Sequence, residues 1–154
     1  NLSLINNSIY NQDDIVLIGG CFDLLHSGHL YLLRLAKKLG GKLLVAVLSD
    51  EYIKSYKDSG RPIQHEAVRL EIIQSLRFVD RAILANQDPY TSRFLSKIKP
   101  RAIIMGLETG KEIHRKNKAK KLKKEIPDLE IFFLEKIEPL NLSTTAIIQK
   151  IKNL

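Results

Sequence analysis

The sequence contains no tryptophan and a single cysteine, Cys21, among its 154 residues. One cysteine cannot form a disulfide within the chain, and such sparse use of cysteine fits a reducing cytoplasm. No apolar run is long enough to span a bilayer, and the start lacks the basic-then-apolar pattern of a secretory signal. Apolar residues make up 44% and charged residues 27% of the chain, so we expect a folded, cytoplasmic protein.

Acidic residues are too few to balance the basic ones, and the formal net charge is +8. Much of the excess lies in residues 111–124, where the pattern predicts a helix with a solvated basic face. A basic surface also attracts nucleic acid or a small polyanion. This segment contains no interleaved aromatic side chains for base stacking, and the chain has no zinc-finger or RNA-recognition signature. We therefore do not expect nucleic acid to be a partner.

Apolar runs alternate with helical patterns in residues 15–154, after an Asn- and Ser-rich segment, residues 1–14, that we interpret as an extension or linker. The pattern predicts five strands, at residues 15–19, 43–48, 82–85, 102–105 and 130–134. It predicts a helix that ends before Gly40-Gly41 and further helices at residues 66–76, 91–98, 112–126 and 143–151. In the helix at 66–76, the residues expected to face inward are Val68, Ile72, Ile73 and Leu76. The alternation predicts an α/β fold, a single Rossmann-like domain with a five-stranded parallel sheet and helices on both faces, whose ligands bind beyond the carboxyl ends of the strands.

Residues 20–29, Gly-Cys-Phe-Asp-Leu-Leu-His-Ser-Gly-His, lie directly between the first predicted strand and the first predicted helix. Backbone N–H groups at a glycine-containing turn and at a helix N-terminus favour negative charge. His26 and His29 add two side-chain donors at the same place. The segment is suited to holding a triphosphate, and we interpret the chain as a nucleotide-using enzyme.

Together with three later segments, this motif resembles the cytidylyltransferase-like family, whose signature is H-x-G-H. Residues 61–69 and 75–80 resemble the family's R-P-x-x-x-E-x-x-R and I-R-x-V-D segments. Residues 105–108 end in Glu108 where the family has aspartate, and residues 143–145 resemble its I-S-T-T motif. Class I aminoacyl-tRNA synthetases also carry H-x-G-H, but this short chain lacks their K-M-S-K-S segment. The ordered set of segments therefore indicates a nucleotidyltransferase.

The resemblance implies transfer of CMP from CTP to a small phosphorylated alcohol or phosphonate, with release of pyrophosphate. The residue types at positions 22–26, Phe-Asp-Leu-Leu-His, resemble those of cytidylyltransferases and favour CTP. The alternative is an adenylyltransferase of the heptose-phosphate or FMN type, which would use ATP. The resemblance also implies Mg²⁺ held by the phosphates rather than by direct protein ligands. It further implies a homodimer, and the helix that ends at residues 77–80 is a candidate interface. Without tryptophan, an aromatic cage for a quaternary ammonium is hard to build, which disfavours phosphocholine as the acceptor. An alternative of another class is a non-catalytic module that binds a nucleotide or nucleic acid.

The resemblance also implies roles for residues that match the family motifs. An acceptor phosphate is already a nucleophile at neutral pH, so catalysis reduces to alignment and charge stabilisation. The predicted catalytic residues are His26, His29, Arg61 and Arg69. The predicted nucleotide-binding residues, besides both histidines, are Gly19, Gly20, Cys21, Phe22, Gly106, Glu108, Leu142, Ser143, Thr144 and Thr145. The predicted acceptor-binding residues are Asp23, Arg61 and Arg77. Relatives of the glycerol-phosphate type carry Arg where Glu138 stands here, and the candidates for the replacement cation are Lys111, Arg115 and Lys136.

Overall fold

Five parallel strands form one sheet in the computed structural model, which describes residues 10–57, 60–107, 112–135 and 143–153. The elements are β1 (Tyr10–Gly20), α1 (Ser27–Lys38), β2 (Gly40–Leu48), α2 (Asp50–Lys54), α3 (Glu66–Gln74), β3 (Arg81–Ala85), α4 (Ser92–Ile98), β4 (Ala102–Leu107), α5 (Glu112–Glu125), β5 (Glu130–Glu135) and α6 (Thr144–Lys152). The strand order is β3-β2-β1-β4-β5, and every neighbouring pair is parallel. This architecture confirms the predicted α/β fold.

Helices cover both faces of the sheet because parallel strands need crossover connections of one hand. The helices α1 and α3 lead from β1 to β2 to β3, whereas α4 and α5 lead in the other direction along the sheet, so the two pairs lie on opposite faces. In β1, Val16 and Ile18 belong to the buried cluster that contains Leu33 of α1, and Leu17 belongs to the cluster that contains Phe94 of α4. Alternate residues of the strand are thus buried on opposite faces, which explains its continuous apolar sequence.

The first strand begins at Tyr10, inside the segment that we interpreted as an extension. Residues 11–14 are polar and carry no alternation, and the pairing of β1 with β2 is irregular between Tyr10 and Ile15. Gly41 permits this arrangement, because it has φ +69 and a Cβ there would lie 2.3 Å from the carbonyl oxygen of Asp14. Gly41, in the glycine pair that follows α1, therefore also allows the start of β2 to lie close to β1.

The helix α3 differs from the prediction most clearly at Val68. This residue, expected to face inward, is 43% exposed, and the adjacent Arg69 is fully buried. Ile73 is buried as predicted, and Leu76 packs against the same core cluster from just beyond the end of the helix at Gln74. Apolar periodicity could not identify this face because the helix buries an arginine on it.

The carboxyl ends of the strands gather the segments that matter for binding. The motif loop (residues 21–26) follows β1, the short helix α2 follows β2, and Gly106 lies near the end of β4. The order of strands reverses between β1 and β4, which is where open parallel sheets bind ligands. None of the helices in the described ranges is long and apolar enough to cross a membrane.

Candidate active site

The motif loop leaves β1 at the carboxyl edge of the sheet and enters α1 at Ser27. Two of its residues have left-handed backbone conformations, Phe22 with φ 51 and Leu24 with φ 46. Such a conformation costs a residue with a side chain on the order of 1 kcal/mol or more. Contacts from other parts of the chain must therefore hold the loop in this shape.

Asp23 links the motif loop to residues 61–64. Its carboxylate is 1% exposed and accepts hydrogen bonds from the N–H groups of Ile63 (2.9 Å) and Gln64 (3.0 Å). Gln64 adds a second link, since its Oε1 accepts a hydrogen bond from the Leu24 N–H at 3.1 Å. The Asp23 carboxylate is thus occupied by the protein, which corrects its predicted acceptor-binding role. Its place in the structure is that of a residue that holds the loop.

Arg69 holds the same loop from the other side. The side chain is 0% exposed, and its guanidinium donates to the carbonyl oxygens of Gln64 (2.9 Å) and Cys21 (2.6 Å) and to Asp50 Oδ1 (2.7 Å). Partial burial raises the pKa of Asp50, but hydrogen bonds from Arg69 and from the Glu66 backbone outweigh it and hold that pKa below its usual value. A guanidinium enclosed in this way is not placed to contact a substrate phosphate. The predicted catalytic role of Arg69 is therefore corrected to one of positioning.

His26 and His29 lie at the N-terminus of α1, where the sequence predicts them. His26 is the N-cap residue, and the two imidazole rings stack with centroids 3.8 Å apart. The His26 N–H donates to Nδ1 of His29 at 3.4 Å. A neutral imidazole that accepts at Nδ1 carries its proton at Nε2, so this bond prepares His29 as an Nε2–H donor. Both rings are partly exposed, and together with the helix N-terminus they form a group of donors for an anion.

The N-terminus of α6 meets the motif loop. Thr144 is 9% exposed, and its hydroxyl donates to the Asp23 carbonyl oxygen at 2.7 Å. The Ser143 hydroxyl oxygen accepts from the Ala146 N–H at 3.1 Å, which confirms Ser143 as the N-cap, and Thr145 is exposed. Because the Thr144 hydroxyl is used within the protein, α6 offers a ligand the N–H groups of its first turn and the Ser143 hydroxyl proton.

Protein side chains, rather than open space, lie against Gly19 and Gly20. A Cβ on Gly19 would lie 2.3 Å from Cγ of Pro89, and one on Gly20 would lie 3.1 Å from the Phe22 ring. The missing Cβ atoms thus make room for protein side chains, and nucleotide contact at the backbone of these two glycines stays a prediction. Gly106 differs, because the nearest atom to a Cβ there is a Leu32 methyl at 3.8 Å. The neighbouring predicted contact, Glu108, lies outside the described residues, as do Leu142, Lys111, Lys136 and Glu138.

Arg61 lies beside the motif loop, as the resemblance implied. Its side chain is 18% exposed, and Nε lies 3.3 Å from Oδ2 of Asp23. This Nε is buried and makes no hydrogen bond to the residues that the structure describes. The Nε side of the guanidinium thus faces Asp23, and a guanidinium carries further N–H donors with which it can bind an anion.

Arg77 is not part of this site. It is exposed in the turn between α3 and β3, at the amino edge of the sheet, so its predicted acceptor-binding role is corrected. The rest of the candidate dimer interface is used within the chain. The guanidinium of Arg34 lies 5.7 Å from the Phe78 ring centroid, Val79 is buried, and Asp80 pairs with Lys37 at 2.6 Å. The homodimer stays a prediction.

Two further charged residues that the sequence analysis missed are Asp50, which accepts a hydrogen bond from Arg69, and Lys57, whose charge affects Cys21. Lys57 is partly exposed, and its charge lies close enough to Cys21 to lower the pKa of that thiol, although burial has the larger, opposite effect and raises it overall. Both residues follow the carboxyl end of β2, and that position was a usable signal. The sequence contains no signal for the role of Gln64, because its contact with Leu24 depends on how two separate loops fold.

Two other features of the described residues concern potential metal ligands and a surface cavity. These residues contain no cluster of three His, Cys, Asp or Glu side chains that could hold a metal ion. A surface cavity of about 570 Å³ is lined by residues that include Ile15, Leu95 and Arg101. Because Ile15 and Arg101 precede the paired parts of β1 and β4, this cavity lies at the edge of the sheet opposite the motif.

Comparisons with known proteins agree with the geometry. Residues 17–150 match the family model described as Cytidylyltransferase-like. The chain is 38% identical to a FAD synthase of Pyrococcus abyssi over 92 residues, which cover 59% of this chain and 61% of that protein. It is 33% identical to the bifunctional protein HldE of a Nitratiruptor species in an alignment that covers 99% of this chain but 31% of that protein. The crystal structure of the lipopolysaccharide core biosynthesis protein of Thermoplasma volcanium superposes with a TM-score of 0.68 at 31% identity, covering 81% of this chain and 98% of that one.

Proposed function

Since the chain belongs to the cytidylyltransferase-like family, we propose that it is a nucleotidyltransferase. It transfers a nucleoside monophosphate from a nucleoside triphosphate to the phosphate of a small acceptor and releases pyrophosphate. The chain spans 61% of the FAD synthase and 31% of the HldE protein, so the proposal concerns the reaction of this domain.

The convergence of two helix N-termini on one loop carries the proposal. The 2.7 Å bond from Thr144 to Asp23 brings the start of α6 to the loop that begins α1. Each helix N-terminus favours negative charge, and the stacked pair of His26 and His29 and the guanidinium of Arg61 lie at the same loop. A triphosphate is the anion that such an extended set of donors suits.

The proposed step needs no protein base. An oxygen of the acceptor phosphate attacks the α-phosphorus of the nucleotide, a phosphorus–oxygen bond forms, and the bond to the departing pyrophosphate breaks with the electron pair on pyrophosphate. His26 and His29 donate hydrogen bonds to the phosphate oxygens and stabilise the charge that develops there. Arg61 and Lys57 supply positive charge for the acceptor phosphate or for pyrophosphate. We propose that Mg²⁺ enters as part of the magnesium–nucleotide substrate. The one carboxylate of the motif loop, Asp23, already accepts two hydrogen bonds from the protein backbone.

We propose ATP as the nucleotide, with CTP as the competing donor. The spelling of residues 22–26 resembles cytidylyltransferases, which favours CTP. FAD contains an adenylate half, however, so a relative named FAD synthase supports adenylyl transfer for this chain. The acceptor is then a small phosphorylated molecule such as a sugar phosphate, a phosphoalcohol or FMN.

The test combines nucleotide binding with turnover. Thermal unfolding is measured with Mg²⁺ and either ATP or CTP, since a ligand at a hundred times its Kd stabilises the fold by about 2.7 kcal/mol. Pyrophosphate release is then measured with a panel of phosphorylated acceptors. A shift with ATP alone supports adenylyl transfer, and a shift with CTP alone replaces it with cytidylyl transfer.

Variants of the histidines separate catalysis from binding alone. We expect His26→Ala and His29→Ala each to lower kcat about 10²–10³-fold, as the loss of one donor to a transition-state charge does. His114→Ala, which removes an exposed imidazole from α5, is the matched control and leaves turnover unchanged. Nucleotide binding without pyrophosphate release for any acceptor would favour the non-catalytic module.

A further inference from the structure

The β1–β4 pair comes apart at the point where the nucleotide is proposed to bind. The pairing of the two strands ends at Ile18 and Ile104. Beyond these residues, β1 continues to pair only with β2, as far as Gly20, and β4 continues to pair only with β5, as far as Leu107. The strands therefore form a fork that opens toward the motif loop.

One tyrosine hydroxyl occupies this fork. The Oη atom of Tyr90 accepts a hydrogen bond from the Gly19 N–H at 2.8 Å and donates to the carbonyl oxygen of Ile104 at 2.6 Å. The residue is 4% exposed, and burial raises its pKa to about 12, so the hydroxyl keeps its proton at neutral pH. The hydroxyl thus contacts the backbone of both strands where their pairing ends, at Gly19 of β1, whose carbonyl oxygen is also within 3.2 Å, and at Ile104 of β4.

The loop that carries Tyr90 is fastened both to β1 and to α5. Pro89 packs on Gly19 so closely that a Cβ there would be 2.3 Å from it. Asp88 accepts a hydrogen bond from the Tyr90 N–H at 2.9 Å and forms an ion pair with Lys118 of α5. The guanidinium of Arg115, also on α5, lies 5.6 Å from the centre of the Tyr90 ring. Residues 115 and 118 are three apart, so they share one side of the helix.

We propose that Tyr90 is a positioning residue that keeps β1 and β4 apart at the nucleotide-binding fork, and that Asp88, Arg115 and Lys118 hold it there. Without the hydroxyl, the Gly19 N–H and the Ile104 carbonyl are left to bond each other directly, and the two strands come closer together at the last paired position. Arg115 was a candidate to replace a phosphate-binding cation, and its position over the Tyr90 ring assigns it this supporting role instead. The inference rests on the proposed function for its effect on nucleotide binding, but not for the shape of the fork.

The test uses Tyr90→Phe, with Tyr10→Phe as the matched control. Tyr10 is also a buried tyrosine of this sheet, 8% exposed, and its hydroxyl donates to Glu130 at 2.7 Å, but it lies at the amino edge. For Tyr90→Phe we expect the Kd and KM for the magnesium nucleotide to rise about tenfold, which corresponds to about 1.4 kcal/mol, with kcat at saturation changed less than about threefold. For Tyr10→Phe we expect a similar loss of stability but an unchanged KM. A purely structural role of Tyr90 would lower the amount of folded enzyme in both variants and leave KM alone.

Two further measurements keep the failure of the proposal distinct from the failure of the proposed function. A crystal structure of Tyr90→Phe should show a direct hydrogen bond from the Gly19 N–H to the Ile104 carbonyl oxygen, and this result does not depend on any activity. An unchanged fork, with a water molecule in place of the hydroxyl, would overturn the proposal. If Tyr90→Phe does not fold, Arg115→Met and Arg115→Lys replace it. The methionine should raise the nucleotide Kd and the lysine, which keeps a cation over the ring, should restore most of the affinity. Equal affinities for both variants and the wild type would also overturn it, whereas a wild type that binds neither ATP nor CTP would contradict the proposed function.

Discussion

The hydroxyl of Thr144 donates a hydrogen bond of 2.7 Å to the backbone carbonyl of Asp23, although 121 positions separate the two residues in the sequence. The same Asp23 binds residues 63 and 64 through its carboxylate. One buried residue thus connects the motif loop, the loop before α3 and the N-terminus of α6. Three segments that the sequence analysis identified independently are held together by bonds among themselves, before any substrate is considered.

Replacing Thr144 with valine tests this connection. The change keeps the shape of the side chain and strands the Asp23 carbonyl, and we expect it to lower the free energy of unfolding by about 1–3 kcal/mol. Because the start of α6 is then no longer fixed to the motif loop, the nucleotide Kd should rise as well. The control is Ser75→Ala, which removes a hydroxyl that donates to the Glu71 carbonyl on exposed α3 surface. Urea unfolding and nucleotide titration of the same samples give both quantities, and an unchanged Kd in Thr144→Val would show that α6 does not contribute to binding.

Substitution of Arg69 separates a positioning role from a catalytic one. Its three acceptors are partly buried, and Arg69→Met removes the guanidinium that pairs with the Asp50 carboxylate, so we expect a loss of about 3 kcal/mol in unfolding free energy. Lysine keeps the charge but lacks the planar fork that serves three acceptors, and Arg69→Lys should recover only part of this loss. Arg93→Met, at an exposed position of α4, should change stability by no more than about 0.5 kcal/mol. If Arg69→Lys were as stable as the wild type and inactive, a direct contact with substrate would be the better explanation.

Lys57 is the cation that we expect to contact phosphate from the loop after α2. Lys57→Met should raise the KM for the nucleotide or for the acceptor about tenfold or more, since a charge-assisted hydrogen bond contributes about 1.5–3 kcal/mol. Added salt should weaken binding by the wild type more than by the variant. Lys54→Met removes an exposed ammonium from the end of α2 and serves as the control with unchanged constants. Equal kinetic constants for the two variants would exclude Lys57 from the site.

The elements that the sequence reveals are those whose signal is local. Parallel strands buried on both faces read as apolar runs, so residues 43–48 and 102–105 could be placed within a few residues of β2 and β4. Ser143 could be predicted as an N-cap because that preference depends on the hydroxyl and the next few residues. The motif loop could be placed at the binding edge because it follows a strand in a parallel sheet.

The features that the sequence does not reveal depend on partners far away in the chain. Arg69 appears as an exposed cation in a helical pattern, and only its three buried acceptors explain why it faces inward while Val68 does not. Gly19 looks like a nucleotide-binding glycine, but its lack of a Cβ makes room for Pro89. Residue propensities and spacing cannot predict such contacts, because the two partners lie far apart in the sequence and neither residue alone indicates the other.

The free energy of unfolding should fall in acid, and part of this fall should come from protonation of Asp80. Burial alone raises the pKa of this carboxyl, but hydrogen bonds from Lys37 and from the Leu43 N–H, with the charge of Lys42, outweigh it and lower the pKa from the ordinary 3.8. A carboxyl whose pKa is lower in the folded state binds fewer protons there than in the unfolded chain. Its contribution to stability is therefore fully present above the unfolded pKa and is lost as the pH falls through the folded pKa.

Asp80→Asn should reduce the loss of unfolding free energy that the wild type shows as the pH falls into the acid range. At neutral pH, we expect the variant to lose about 1 kcal/mol, since the group is 40% exposed and its ion pair with Lys37 is screened by solvent. As the pH falls below 3.8 and through the lowered pKa of the folded state, the difference from the wild type should shrink, because the wild-type carboxyl is then protonated too. Asp13→Asn makes the same change in charge at a side chain that is 96% exposed. We expect this control variant to lose stability in acid as the wild type does. Urea unfolding at pH 7, 5, 4, 3 and 2 measures the difference, and a gap between wild type and Asp80→Asn that stayed constant down to the lowest pH would show that the titration of Asp80 is not linked to folding.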